Sequence, residues 1–398
     1  MDVFNALSEG KIGRHDIVVR TVDMHTSGEA TRIVLPLVDK HGQFILRGRT
    51  LLDKRSYAKE QADWLRQRIM HEPRGHSEMY GAILVPETEM TLAGEADIGV
   101  LFCHNEGYST MCGHASIALG RFLVDTTDSS VFPRRKALQH SAHNGETIVR
   151  LHAPCGIVTI TVPTTNENSW EKRRSDPTRR VNFLSVPSFV GAVDVTVEVP
   201  EGRRWRALQD AGKNNVTVDI SYGGAFYAVV SSHELGFVRG ILEYGISELD
   251  EATATIKNLL RDRREFYAHP TEDDLEYLYG VIVTEQLARN YELGACFFAN
   301  QQLDRSPTGS GVCARVSLAC AKGKLALGEE VLFESPISLG KGIGFSGKAV
   351  GQAALKQKDG RTINTTRVVV SGRAYYTGSH SFVVEEGDEL GSGFITPS

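Results

Sequence analysis

Short apolar runs rich in β-branched residues alternate along the chain with longer segments of helical periodicity. The runs that predict β-strands are residues 17–22, 31–38, 156–162, 216–220, 226–231, 281–284 and 366–372. The segments that predict helices are 57–71, 113–124, 249–266 and 311–324. Two polar stretches with Pro, Asn and Ser, at 126–149 and 164–181, predict surface loops. This mixture predicts an α/β or α+β fold.

The pattern is repeated once over a long interval. Residues 19–34 and 216–230 each read as a strand, a glycine-containing turn and a second strand, and each is followed by an apolar helix. We therefore expect two similar, pseudo-symmetric domains in which the starts of the two helices face each other. The predicted boundaries are 1–185 for the N-terminal domain, which a C-terminal strand at about 374–398 completes, and 186–373 for the C-terminal domain.

Composition narrows the class of protein. The 398 residues are 41% hydrophobic and 23% charged with a formal net charge of −5, as in soluble globular proteins. No basic stripe interleaved with aromatic residues suggests nucleic-acid binding, and no apolar run has membrane-spanning length. The N-terminus lacks the apolar core of a signal peptide, so we expect a cytoplasmic protein whose six cysteines are thiols.

The two apolar helices have small-residue turns at their starts. Residues 113–124 are too apolar for a surface helix, and a buried helix still leaves its first N–H groups without intrahelical partners. Such an end attracts anions, and Gly113 and Gly309 would let a ligand approach the backbone closely. Two such ends predict a carboxylate site that also stabilises the negative charge formed when the adjacent carbon loses a proton.

Cys112 lies directly before one of these helices. The helix end favours its thiolate, which can act as a base or as a nucleophile. A single cysteine is more often a small buried apolar residue, but the flanking glycine and His114 favour a function here. We interpret Cys103, Cys313 and Cys320 as structural.

Two patterns that resemble metal sites fail on spacing. In HEPRGH (71–76) the histidines are five residues apart, and a proline and a glycine between them prevent a helix. The cysteines and histidines at 103, 104, 112 and 114 match no closed tetrahedral site. We expect neither a metal nor an organic cofactor.

The residues identified so far lie in segments that resemble the proline racemase family over nearly the whole chain. The matching segments are VDMHTSGE (22–29), EPRGHSEMYGA (72–82), HNEGYSTMCGH (104–114), DISYGGAFYA (219–228) and DRSPTGSG (304–311). The resemblance implies two α/β domains of diaminopimelate-epimerase type, an active site in the cleft between them, no cofactor and a homodimer. Ser27 departs from the glycine common in the family's HTGGE.

The resemblance also implies roles for single residues. Family racemases and epimerases place one cysteine on each side of the substrate's α-carbon; Cys112 matches the first, as proton acceptor, and Thr308 replaces the second. The substrate carboxylate would be held by Gly113, His114, Gly309 and Ser310, and Asp304 would pair with the ring amine.

Threonine at position 308 affects the expected reaction. Its hydroxyl is a poor acid–base group near neutral pH, which argues against inversion of the α-carbon. DRSPTGSG is similar to the family's trans-3-hydroxy-L-proline dehydratases, which implies a hydro-lyase that forms Δ1-pyrroline-2-carboxylate. We hypothesise a syn elimination in which Cys112 removes the α-proton and returns it to the departing hydroxyl.

Two alternatives remain open at this point. The protein could be a hydroxyproline or proline epimerase that uses Thr308 through a water molecule. It could also be a non-catalytic imino-acid-binding protein, although such a protein would have no need of a thiol at position 112.

Overall fold

The structure is a computed structural model that describes residues 18–38, 43–165, 167, 169–358, 360–385 and 387–396. Residue 17, the first of the strand predicted at 17–22, lies outside these residues, as do parts of the predicted ranges 1–185 and 374–398. Two compact units are present. The first extends to Thr110 and adds His114–Val181 and the chain from Arg373 onward, and the second consists of Met111–Gly113 and Asn182–Gly372.

In chain order the strands are β1 (Val19–Thr26), β2 (Glu29–Val34), β3 (Gly81–Val85), β4 (Ile98–Cys103), β5 (Tyr108–Ser109), β6 (Gln139–Ser141), β7 (Glu146–Ala153), β8 (Gly156–Pro163), β9 (Val181–Leu184), β10 (Phe189–Glu198), β11 (Asn215–Tyr222), β12 (Phe226–Ser231), β13 (Leu278–Ala288), β14 (Tyr291–Phe298), β15 (Gln302–Leu303), β16 (Glu330–Glu334), β17 (Phe345–Lys356), β18 (Thr362–Gly372) and β19 (Ala374–Phe382). The α-helices are α1 (Leu51–Gln61), α2 (Asp63–Met70), α3 (Glu89–Leu92), α4 (Gly113–Asp125), α5 (Arg206–Asp210), α6 (Ile246–Leu260) and α7 (Gly309–Ala321). Short 3-10 helices lie at Arg135–Ala137, Glu201–Arg203, Ile241–Glu243, Arg264–Phe266 and Asp273–Leu275.

The sheet of the first unit combines local hairpins with crossovers. Strand β1 pairs antiparallel with both β2 and β19, β2 pairs parallel with β3, and β3 pairs antiparallel with β4. Strand β4 then pairs parallel with β7, which forms a hairpin with β8. Helix α1 contributes Leu51 and helix α2 contributes Leu65 and Ile69 to a core with Ile83 and Leu101. Burial of these side chains is the main force that holds the helices on the strands.

In the second unit, strands pack around a central helix. Strands β10, β11 and β12 are antiparallel neighbours, β12 pairs parallel with β13, and β13 pairs antiparallel with β14. Strand β14 pairs parallel with β16, which continues antiparallel through β17 and β18. Helix α7 packs against β10, β11, β12, β17 and β18. At Gly223 a Cβ atom would lie 2.1 Å from the Ser310 carbonyl oxygen, so the helix approaches only because this residue is glycine.

The α/β class expected from the sequence is confirmed. Strands β1 and β2 form one predicted hairpin, β11 and β12 form the other, and α4 and α7 follow them as apolar helices. Both hairpins were recognisable because alternating apolar positions have the period of a strand.

Three sequence predictions within these units were wrong in detail. The helix expected at 57–71 is two helices, interrupted at Ala62, whose backbone (φ −133°, ψ 21°) leaves the helical region. The helix expected at 249–266 ends at Leu260, where the polar run at 261–265 begins. The loop expected at 126–149 contains β6 and the start of β7. This stretch is polar in composition, but buried and half-buried residues alternate along the start of β7, as expected of a strand.

The position of Cys112 also differs from the sequence prediction. The sequence predicts this residue in an N-terminal domain that ends at residue 185. In the structure Met111–Gly113 belongs to the second unit, and the segment of the first unit that starts at His114 ends at Val181. The physical reason is a close backbone contact of Gly113 with Gly309, described below. Among the described residues, no helix is both long and apolar enough to cross a membrane.

Candidate active site

Two glycines, each the first residue of a helix, lie in contact within the second unit. Gly113 opens α4 and Gly309 opens α7. A Cβ atom at Gly113 would lie 2.5 Å from the Gly309 Cα, and one at Gly309 would lie 2.7 Å from the Gly113 Cα. Both hypothetical atoms would also lie within 3.2 Å of the Phe183 ring. Only glycine therefore allows these two backbones to approach so closely.

The first backbone N–H groups of α7 precede its ladder of hydrogen bonds. The first hydrogen bond of the helix runs from the Val312 N–H to the Thr308 carbonyl oxygen (2.7 Å). The N–H groups of Gly309, Ser310 and Gly311 therefore precede the helical ladder. Together with the positive end of the helix dipole, they can bind an anion or stabilise a developing one.

Thr308 adopts a backbone conformation that is rare for a β-branched residue. Its φ of 60° and ψ of 88° lie in the left-handed region, and its side chain does not cap α7. The hydroxyl Oγ1 instead donates to Asp304 Oδ2 at 2.8 Å. The strained backbone at position 308 thus turns the hydroxyl toward the carboxylate and away from the helix N–H groups.

Asp304 is a buried carboxylate held by short hydrogen bonds. It is 3% exposed, and Oδ1 accepts from the Ser306 N–H at 2.8 Å while Oδ2 accepts from Thr308. Burial raises the pKa of Asp304 to about 6, whereas the hydrogen bonds from Ser306 and Thr308 and the charge of Arg315 act in the opposite direction. The group is consequently ionised near neutral pH and can pair with a cation.

Arg315, on α7, fixes the loop between Asp304 and the helix. Its guanidinium donates to the Pro307 carbonyl oxygen at 2.7 Å and forms a 2.8 Å ion pair with Glu292. Because Arg315 is only 4% exposed, its charge-assisted bonds are shielded from water and hold the loop rigidly.

Two further groups complete the surroundings of Asp304. The Cys296 thiol is buried, which raises its pKa, and a hydrogen bond with Thr308 opposes that effect. The Tyr227 hydroxyl lies 2.7 Å from Ser310 Oγ. Burial raises the pKa of Tyr227, and Cys296, Asp304 and Cys112 all act in the same direction. Tyr227 therefore lies close enough to these three groups to interact with them electrostatically.

Cys112 is buried next to Gly113, at 4% exposure. It precedes α4, so the positive end of that helix dipole favours a thiolate at this position. By contrast, Cys103 lies at the end of β4 and burial raises its pKa to about 12. Cys103 therefore stays a protonated, structural thiol, as the sequence indicated.

His114 directs its ring into the first unit. Burial lowers the pKa of His114 to about 3, against a hydrogen bond with the Ala30 backbone, and the ring is therefore neutral at pH 7. The ring packs edge-on against Tyr80, with centroids 4.8 Å apart, and the backbone carbonyl accepts from Thr26 Oγ1 at 2.9 Å. These contacts identify the ring as a packing element and leave the backbone as the part of His114 that could bind a ligand.

The structure thus brings together most of the residues that the sequence singled out. Six of them belong to the second unit, namely Cys112, Gly113, Asp304, Thr308, Gly309 and Ser310. The sequence did not single out Tyr227, Cys296 or Arg315. Tyr227 lies within DISYGGAFYA, one of the segments that resemble the family, and that resemblance could have identified it. Cys296 lies in the apolar strand β14, where the sequence gives no sign of a function. In the part of the chain that the structure describes, no three His, Cys, Asp or Glu side chains gather as a metal site would require.

The fold is that of a class of racemases and epimerases. Its match to a probable proline racemase from Agrobacterium radiobacter K84 covers 95% of this chain and 96% of that chain, with a TM-score of 0.72 and 20% identity. A hydroxyproline epimerase from Agrobacterium vitis, solved with bound trans-4-hydroxy-L-proline, matches 95% of this chain and 96% of its own, with a TM-score of 0.71 and 21% identity.

Sequence comparison places the chain within that class. The proline racemase family model matches residues 21–395, and the chain belongs to the proline racemase family. It is 42% identical over 381 residues to the trans-L-3-hydroxyproline dehydratase of Xenopus tropicalis, covering 95% of each chain. It is 41% identical over 397 residues to the human trans-3-hydroxy-L-proline dehydratase, covering 98% of this chain and 99% of the relative.

Proposed function

We propose that this protein is a trans-3-hydroxy-L-proline dehydratase, a hydro-lyase that forms Δ1-pyrroline-2-carboxylate and water. The observation that carries the proposal is the hydrogen bond from the Thr308 hydroxyl to Asp304, at the start of the helix that Gly309 opens. Cys112 directly precedes Gly113, the glycine that contacts Gly309, and so supplies a thiol beside this contact. The dehydratase relatives, similar over nearly the whole chain, support the same reaction.

The reaction requires removal of the α-proton and loss of the 3-hydroxyl. In the trans isomer the hydroxyl lies opposite the carboxylate, and therefore on the same ring face as the α-hydrogen. Cys112, as thiolate, takes the α-proton, and the electron pair of the broken C–H bond becomes the new ring double bond. The resulting thiol gives its proton to the departing hydroxyl, which leaves as water. The enamine then tautomerises to Δ1-pyrroline-2-carboxylate, so the step needs no oxidant or reductant.

The remaining residues bind and polarise the substrate. The N–H groups of Gly309 and Ser310, and the backbone of Gly113 and His114, hold the carboxylate and stabilise the enolate-like charge that develops. Asp304, ionised near neutral pH, pairs with the ring ammonium. Thr308 holds Asp304 in position.

This arrangement disfavours the epimerase alternative. Inversion needs an acid on the face opposite Cys112, and a threonine hydroxyl has far too high a pKa for that role near neutral pH. Its proton also lies in the hydrogen bond to Asp304.

The test is an assay of the purified protein in D2O with trans-3-hydroxy-L-proline, trans-4-hydroxy-L-proline and L-proline. We expect pyrroline-2-carboxylate from the 3-hydroxy compound alone. Recovery of deuterated proline or 4-hydroxyproline with an inverted α-centre would replace the dehydratase with an epimerase. Tight binding of imino acids without turnover would indicate a binding protein.

A cytoplasmic homodimer without nucleic-acid or membrane partners remains a prediction from the sequence. Light scattering coupled to size-exclusion chromatography tests the dimer directly. A monomer at micromolar concentration would contradict it.

A further inference from the structure

Gln302, on β15, is a buried glutamine whose amide has no partner among the residues that the structure describes. The residue is 2% exposed, and neither Oε1 nor Nε2 forms a hydrogen bond with any residue that the structure describes. A glutamine amide has two N–H donors and an accepting oxygen, and leaving such a group unpaired in a protein interior is costly. Buried amides of this kind therefore call for a functional or structural explanation.

Strand register places Gln302 on the same face as the groups around Thr308. Phe298 of β14 lies opposite Gln302, and the Asp304 N–H continues the ladder by donating to the Cys296 carbonyl oxygen at 2.9 Å. Since side chains alternate between faces, Gln302 shares a face with Asp304 and Cys296. Both of those residues are hydrogen-bonded to Thr308.

The same face reaches the start of α7. Tyr227 lies opposite Gly280, and Gly280 lies opposite Phe298, so these residues and Gln302 form one row across four strands. The Tyr227 hydroxyl contacts Ser310 Oγ at 2.7 Å. The row therefore faces the helix end to which the carboxylate of the substrate is assigned.

We propose that the Gln302 amide donates a hydrogen bond to the 3-hydroxyl of the substrate and so determines specificity for hydroxylated rings. This inference rests on the proposed function. Gln302 lies two residues from Asp304, about 7 Å along the strand. If Asp304 holds the ring nitrogen, the amide of Gln302 reaches a substituent on the ring. A hydroxyl both donates and accepts hydrogen bonds, which suits an amide, and a donor at the departing oxygen stabilises the charge that forms there.

The experiment measures binding in the Cys112→Ala background, so that substrate is not consumed. Calorimetry gives Kd for trans-3-hydroxy-L-proline and for L-proline, with and without Gln302→Met, which replaces the amide by an apolar chain of similar length. We expect Gln302→Met to weaken binding of the hydroxylated ligand about tenfold and to leave the L-proline Kd within about twofold. Equal weakening of both ligands, or no change in either, would overturn the proposal.

Two further variants serve as controls. Gln301 is the adjacent glutamine, but its Nε2 donates to Asp250 Oδ1 at 2.8 Å, so Gln301→Met should leave the ratio of the two Kd values unchanged. If Gln302→Met does not fold, Gln302→Asn is the substitute, because its shorter side chain withdraws the amide and retains polarity. It should raise the Kd of trans-3-hydroxy-L-proline relative to the Kd of L-proline. An unchanged ratio in a folded Gln302→Asn variant would also reject the role.

The two proposals can fail separately. If wild-type protein forms pyrroline-2-carboxylate but Gln302→Met affects both ligands equally, the dehydratase stands and the role of Gln302 is wrong. If wild-type protein forms no product and the selective loss of affinity is still found, the reaction is wrong and the hydroxyl contact stands.

Discussion

Thr308 donates its hydroxyl proton to Asp304 across 2.8 Å, and both side chains are buried. A hydroxyl used in this way cannot also deliver a proton to a substrate carbon without first breaking a charge-assisted bond. In the proposed reaction the threonine would therefore act through the carboxylate, as a positioning residue. If Asp304 pairs with the ring amine as proposed, threonine at this position supports substrate binding, where a cysteine would serve as an acid–base group.

The first prediction concerns this hydrogen bond. Thr308→Val removes the donor but keeps the shape, and since the Thr308 bond lowers the pKa of Asp304, the variant should have a higher Asp304 pKa. If Asp304 pairs with the substrate ammonium as proposed, it must be ionised, so the acidic limb of kcat/KM should move to higher pH. At pH 7 we expect a roughly tenfold loss of kcat/KM. Thr308→Ser, which keeps the hydroxyl, should retain the wild-type limb. Coincident pH profiles for the valine and serine variants would show that the hydroxyl does not act through Asp304.

Cys112 should be essential for turnover. Cys112→Ser replaces a thiolate by a hydroxyl that is protonated at neutral pH, and we expect kcat to fall roughly 10³-fold. Exchange of the α-hydrogen with D2O should disappear together with dehydration. Cys320→Ser is the matched control, because Cys320 is half-buried near the end of α7 and should leave kcat unchanged. Near-normal turnover by Cys112→Ser would refute the single-thiol mechanism.

Asp304 should make the stability of the protein depend on pH. Its pKa in the folded state, about 6, exceeds its ordinary value of 3.8, so the folded protein holds this proton more tightly than the unfolded chain does. The free energy of unfolding contributed by the group is therefore highest below about pH 4 and declines as the pH rises toward 6, by on the order of 2–3 kcal/mol. Above the folded pKa the contribution is constant.

Urea unfolding between pH 4 and 8 tests this dependence. Between pH 4 and 6 the unfolding free energy of wild type should fall relative to that of Asp304→Asn. Above pH 6 the difference between the two proteins should stay constant. The same variant should have a raised KM for the cationic substrate. Parallel stability profiles would mean that the carboxylate has an ordinary pKa in the folded protein.

The contact between the two glycines predicts a steric effect. In Gly113→Ala the new methyl group would lie 2.5 Å from the Gly309 Cα and 3.1 Å from the Phe183 ring, so backbone must shift. We expect a loss of about 1–3 kcal/mol in unfolding free energy and a large loss of kcat/KM. Gly202→Ala introduces the same methyl group where no atom lies within 4 Å, and it should be neutral in both assays. Full activity of Gly113→Ala would show that the close approach is dispensable.

Sequence alone determined the local structure and the chemistry of single positions. The β11–β12 hairpin and helix α4 followed from the spacing of apolar residues, because strand and helix periods depend on neighbouring positions only. The sequence also provides a thiol at position 112 and, at position 308, a hydroxyl whose ordinary pKa is far too high for acid–base catalysis near neutral pH. Where composition and periodicity disagreed, as in the stretch that contains β7, periodicity was the better guide.

Tertiary structure decided the relationships between positions. Cys296 and Gln302 were unremarkable in the sequence, and they join Asp304 on one face only through the pairing of β14 with β15. The hydrogen bond from Thr308 to Asp304 depends on a left-handed backbone that no propensity favours for threonine. Met111–Gly113 belongs to the second unit because Gly113 meets Gly309, a residue nearly two hundred positions away. Contacts of this kind arise from packing and strand register, and local patterns in the chain do not encode them.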